Sequence, residues 1–136
     1  MLKLKDFMEA FELITNETTW INVKTGEIYS ESLFEFGDID EETKEDILYD
    51  ENVYILPSQH ELNEYQDMES FIDSLTNVNI KNELYNIIRG KGAFRKFKDK
   101  IYYLGIREKW FEYKYQCLEK KVIQWLEANE IDYEKG

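Results

Sequence analysis

The chain is poor in the residues that most often carry chemistry. Among its 136 residues there is one cysteine, one histidine and one proline. Cys117 alone cannot close a disulfide within the chain, which fits a reducing cytoplasm. With one thiol and one imidazole, a zinc site would have to be built mainly from carboxylates, which is uncommon. A Cys–His or Ser–His catalytic pair would need His60, which falls at the expected start of a helix and reads as a surface or capping residue. No GxSxG, HExxH, GxGxxG or GxxxxGK[ST] pattern occurs. The longest apolar-looking run, IYYLGI at 101–106, is far short of the ~20 residues of a membrane span. The opening MLKLKDFMEAFEL contains acids and no continuous apolar stretch, unlike a signal peptide. The expectation is a protein with no metal, no cofactor and no membrane partner, and more a binder than an enzyme.

What is present is an ample core. Phe, Trp and Tyr make up 15% of the chain and hydrophobic residues 43%. That suffices for one domain over 1–136, burying about two-thirds of its unfolded surface. The net charge is −12, which disfavours general binding to nucleic acid or anionic membrane. The charge is segregated. Residues 89–121 carry eleven bases and four acids, a net +7, which leaves six bases and twenty-five acids, a net −19, elsewhere.

Periodicity gives an α+β fold. Leu4, Phe7, Met8, Phe11 and Ile14 recur at helical spacing over 3–14. TTWINV and EIYS flank KTG, a β-hairpin at about 18–30 with Gly26 in the left-handed turn position. Residues 35–51 form an acidic helix or loop, with Asp38 or Asp40 as cap and Ile39, Ile47 and Leu48 toward the core. NVYILP reads as a third strand, apolar on both faces and so a candidate for the sheet centre, ending at Pro57. The chain is helical over 58–131, opening with a Ser58/Glu61 capping box and a stripe through Leu62, Tyr65, Met68 or Glu69, Ile72 and Leu75. Asn77 or Asn79 caps a helix carrying Ile80, Leu84, Ile87 and Ile88. A further helix spans about 93–104, ended by Gly105, and the last runs over about 107–128 with Phe111, Tyr115, Leu118, Val122 and Trp125 or Leu126 as its stripe. The expected architecture is a small three-stranded antiparallel sheet covered by five to six helices.

Two stretches invite a functional reading. In RGKGAFRKFKDK, 89–100, a glycine turn enters a helix, which exposes N–H groups to an anion. Arg89, Lys91, Gly92, Arg95 and Lys98 are the candidate anion- or partner-binding set. The competing reading is a helix junction, with Gly90 as a left-handed C-cap, Gly92 starting the next helix, and Phe94, Phe97, Ile101 and Leu104 as a core stripe. The second stretch is the acidic patch Asp38, Asp40, Glu41, Glu42, Glu45 and Asp46. Its EF-hand register fails, because Thr43 stands where Gly is needed and Tyr49 where Glu is needed. Trp110, Tyr113 and Tyr102 lie among Arg107, Lys109 and Lys114, and could stack on single-stranded nucleic acid or form core under cationic stems.

GKGAFRKFKD, Gly90 to Asp99, resembles the GxGAFRRFKD motif of an uncharacterised bacterial protein family, family 158 of the UPF series. The flanks are similar too: Trp20–Tyr29, the Leu56–Pro57 strand end, YQDMESFI at 65–72, EKWFEY at 108–113 and IQWLEANEI at 123–131. Lys96 stands where the motif has Arg. The resemblance covers about 18–131 and implies a small soluble bacterial protein in which this stretch matters. It supplies no catalytic residue. The leading expectation is a cytoplasmic domain that binds a protein partner through a basic face around 89–114. The rivals are a protein that binds or processes a phosphate ligand or nucleic acid at Arg89, Lys91, Arg95 and Lys98, and an acidic inhibitor that mimics nucleic acid through the patch at 38–46.

Overall fold

The computed structural model describes residues 1–136. The elements run α1 (Leu4–Glu12), β1 (Thr19–Asn22), β2 (Ile28–Ser30), α2 (Glu31–Phe36), α3 (Glu41–Leu48), β3 (Val53–Ile55), α4 (Gln59–Leu62), α5 (Glu64–Ser74), α6 (Val78–Ile88), α7 (Ala93–Tyr103) and α8 (Arg107–Ala128). The fold is α+β, with one three-stranded antiparallel sheet and a long C-terminal helix. Six helices have eight residues or more; α2 and α4 are short. No helix is long and apolar enough to cross a membrane. The chain divides into two compact units, residues 1–62 with 118–136, and residues 63–117.

In the first unit the sheet order is β2-β1-β3. The hairpin turn is closed by Asn22, whose Oδ1 accepts from the N–H groups of Lys24 and Thr25 at 2.9 and 3.1 Å. Gly26 follows at φ +82°, a conformation costly for any residue with a Cβ. Strand alternation sorts the side chains. Ile21 lies in register with Ile28 and Tyr54, and this row packs against Phe7, Phe11, Val122 and Leu126. Trp20 lies in register with Tyr29 and Ile55 on the other face. The NVYILP strand is an edge, not the centre: β1 takes that place because it pairs on both sides, and Ile55 of β3 stands exposed. The ends of the chain meet in this unit, where Leu4 N–H donates to the Glu134 carbonyl at 2.7 Å and Glu134 N–H to that of Leu2 at 3.0 Å.

The acidic segment holds two helices rather than one. Ser30 Oγ accepts from Leu33 N–H and starts α2, and Asp40 Oδ1 accepts from Thr43 N–H at 2.8 Å and starts α3. Only Phe34 is buried here, its ring 5.5 Å from Trp20 and 6.0 Å from Tyr29. Ile39, Ile47 and Leu48 are half-buried rather than core. The Ser58/Glu61 capping box is made in both directions, each bond 3.1 Å.

The second unit is all helical. Asn63, left-handed at φ +47°, breaks the helical run and caps α5 through Gln66 N–H. Asn77 caps α6, its Oδ1 accepting from Ile80 N–H at 3.1 Å. The core gathers Met68, Phe71, Ile72, Leu84, Ile88, Phe97 and Ile101 around Trp110, which is 1% exposed. Trp110 takes edge contacts from Phe97 at 5.0 Å and Phe71 at 5.4 Å. In this half of α8 the inward stripe is Trp110, Tyr113 and Cys117, one residue off the expected phase; Phe111 and Tyr115 are exposed. An aromatic that fills the centre of a core sets a helix's rotation more strongly than a lesser contact at its rim.

Candidate basic interface on the second unit

Arg89 ends α6 in ordinary right-handed geometry. The left-handed residue of the junction is Gly92, at φ +70° and ψ +27°, not Gly90. Gly92 is the N-cap of α7, and its carbonyl accepts from Lys96 N–H at 3.0 Å. No side chain caps this helix and no acid lies in its first turn. At its other end α7 closes with the paired bonds Ile106 N–H to Ile101 carbonyl and Gly105 N–H to Tyr102 carbonyl, with Gly105 left-handed as expected.

Residues of α7 advance about 100° each, so one arc faces the core and the rest faces water. Phe97 and Ile101 are buried and Leu104 half-buried. Phe94 is exposed although it shares their arc, because a first-turn side chain leans toward the helix N-terminus and covers the loop rather than the core. Opposite them run Arg95, Lys98 and Tyr102. Arg89, Lys91, Arg95 and Lys98 are all exposed, and none forms an ion pair. Neighbouring cations behave differently. Lys100 reaches Glu83 at 3.6 Å and lies over the Tyr103 ring at 5.2 Å, and Lys114 reaches Glu64 at 2.9 Å. The Arg107 guanidinium sits over Phe111 at 5.0 Å and Tyr102 at 5.7 Å.

The aromatics flagged among these bases separate. Trp110 is core, Tyr113 is half-buried, and Tyr102 points outward, 69% exposed. Tyr103, 81% exposed, joins it and was not foreseen. The signal was the adjacent pair itself: a helix that buries Ile101 cannot also bury both residues that follow. A depression in the second unit, lined by Phe71, Leu75, Lys109 and Tyr113 among others, includes none of the four unpaired cations. All four are exposed to solvent, which suits a broad contact more than a small phosphate enclosed in a cleft.

A model of the uncharacterised protein family UPF0158 matches residues 2–135. The chain belongs to UPF0158. The match takes in α1, which the resemblance at 18–131 had left out. No curated protein and no solved structure matches this UPF0158 chain.

The acidic candidates of this UPF0158 member lie in the first unit. Asp38, Asp40, Glu41, Glu42, Glu45 and Asp46 are all exposed, and no group of three or more potential ligands is placed to hold a metal. Asp40 is occupied as the α3 cap, and its hydrogen bonds with Thr43 hold its carboxyl below the usual range. Glu41, Glu42, Glu45 and Asp46 share one side of α3, within an arc of about 140°.

Proposed function

We propose that this protein is a bacterial, cytoplasmic binding module that grips an acidic protein partner through the basic face of its second unit. The observation that carries the reading is the set Arg89, Lys91, Arg95 and Lys98, exposed and without ion pairs in a chain with twelve more acids than bases. Nothing in packing requires these charges, since Phe97 and Ile101 hold α7 in place. Tyr102 and Tyr103 beside them offer rigid aromatic area, the side-chain type that with arginine dominates binding energy at interfaces. A partner with carboxylates around an apolar centre would match both features.

Titration with polyglutamate, followed by calorimetry at low salt, tests the chemistry. Binding should weaken as salt rises and fall at least tenfold in an Arg95→Glu/Lys98→Glu variant, about 1.4 kcal/mol. Unchanged affinity in that variant would remove the basic face as the site. Turnover of a phosphoester by pure protein, lost on Arg95→Ala, would replace the reading with an enzymatic one.

A second reading rests on the same tyrosines. Tyr102 and Tyr103 between cations could stack successive bases of a single strand. It calls for oligonucleotide binding whose log affinity falls with log salt by about 0.7 per phosphate contacted. Tyr102→Ala should then cost more against an oligonucleotide than against polyglutamate.

A further inference from the structure

The first unit presents the complement of the basic face. Residues 31–51 hold ten acids and a single cation, Lys44. None of those acids forms an ion pair. Lys44 is turned onto the Phe34 ring at 5.7 Å, so its charge does little to neutralise the outer surface of α2 and α3. Two large side chains nevertheless stand out in the same segment: Phe36 is 82% exposed and Tyr49 86%. Exposed aromatics in an acid-rich segment here, and exposed aromatics in a base-rich segment on α7, are opposite in charge and alike in apolar content.

We propose that this UPF0158 chain associates with a second copy of itself, the acidic α2–α3 face of one copy docking on the basic α7 face of the other. The proposal rests on the reading that the basic face grips an acidic polypeptide, and it names that polypeptide. Counted over whole units, residues 1–62 with 118–136 carry twenty-one acids and seven bases, a net −14. Residues 63–117 carry eight acids and ten bases, a net +2. Mutual repulsion of two −12 molecules opposes the encounter, but at physiological salt it is screened beyond about 8 Å, while matched charges at a contact lie inside that distance. The pairing is heterologous, unlike surfaces meeting. Two such contacts made reciprocally give a closed pair, and a single one repeated gives a chain of copies.

Charge exchange tests this directly. Wild-type protein at about 0.1 mM in about 0.05 M salt should sediment above its monomer mass, and return to it in about 1 M salt. Its monomer mass is 16.5 kDa. Arg95→Glu/Lys98→Glu cancels the charge of the four unpaired cations, and Glu42→Lys/Glu45→Lys cuts residues 31–51 from a net −9 to −5, so each variant alone should shift toward the monomer. All four positions are exposed, and circular dichroism should show both variants folded. Mixed one to one, the two variants should associate again, because the unaltered acidic face of the first meets the unaltered basic face of the second. Wild-type protein that stays monomeric, or association untouched by either double reversal, overturns the proposal, as does a mixture that fails to recover it. A monomer that still binds polyglutamate, and loses it on Arg95→Glu/Lys98→Glu, would sink self-association alone; a monomer that binds no polyglutamate would sink the basic-face reading with it.

Discussion

Gly90 and Gly92 stand two residues apart, and the space around them separates their roles. A Cβ at Gly90 would meet nothing within 4 Å, and the backbone there is not left-handed. Gly90→Ala should therefore be neutral or stabilising by up to about 1 kcal/mol, through lost freedom of the unfolded chain. A Cβ at Gly92 would meet only Lys96 Cε, at 4.0 Å, but φ there is +70°, so Gly92→Ala should cost about 1–2 kcal/mol. Urea denaturation of the two variants decides it, and equal effects would refute the assignment of the left-handed residue. Tyr29 gives a pH prediction. Its hydroxyl donates to Glu27 Oε2 at 2.6 Å, and that bond pushes its pKa from the ordinary 10 up to about 12. A raised pKa means the folded state favours the protonated phenol. Its contribution is complete below pH 10 and is lost as pH climbs through about 12. Spectrophotometric titration should show one tyrosine ionising late, and Tyr29→Phe should abolish that step.

Helix starts were the most legible elements, because a cap is a local contract between residues three apart. Ser58 with Glu61 makes the bonds its spacing implied, and of the alternatives Asp38 or Asp40 and Asn77 or Asn79 the helices take Asp40 and Asn77. Asn77→Ala should cost about 1 kcal/mol, read as a lower urea midpoint with unchanged slope, while Asn79→Ala, at a helical position that caps nothing, should cost less. Facing was less legible. The period of α8 was plain, but its phase was off by one, since Trp110 and Phe111 are both large and the choice between them is made by Phe71 and Phe97, distant in sequence. Sheet order failed similarly: VYI is apolar enough for a central strand, yet pairing in β1 is fixed by two partners, neither of which its own residues identify. At the candidate site, the four cations were found by composition alone. Their lack of ion pairs needed geometry, because Lys100 and Lys114 are equally basic in sequence and are paired.

At the scale of the whole molecule, the two buried clusters share no residue. One is built on α1, the sheet and the second half of α8, the other on α5, α6, α7 and the first half of α8. Each contains its own tryptophan reporter. Trp125 packs against Phe11 at 5.5 Å in the first, and Trp110 against Phe97 at 5.0 Å in the second. With Trp20→Phe in both, Trp110→Phe leaves only Trp125 and Trp125→Phe leaves only Trp110. Into each background go Leu84→Ala, in the second cluster, and Leu126→Ala, in the first; both side chains are fully buried. Each truncation should cost about 2–5 kcal/mol. If the clusters are energetically separate, Leu84→Ala should lower the urea midpoint seen by Trp110 more than that seen by Trp125, and Leu126→Ala the reverse. Coincident shifts at both tryptophans would instead show residues 1–136 unfolding as one cooperative domain. Separate cores have a functional consequence. The acidic face belongs to one cluster's unit and the basic face to the other's, so a substitution that loosens one core should weaken binding at its own face and leave the other competent. Leu84→Ala should therefore lower affinity for polyglutamate, measured by calorimetry, while a chain carrying Leu126→Ala keeps it.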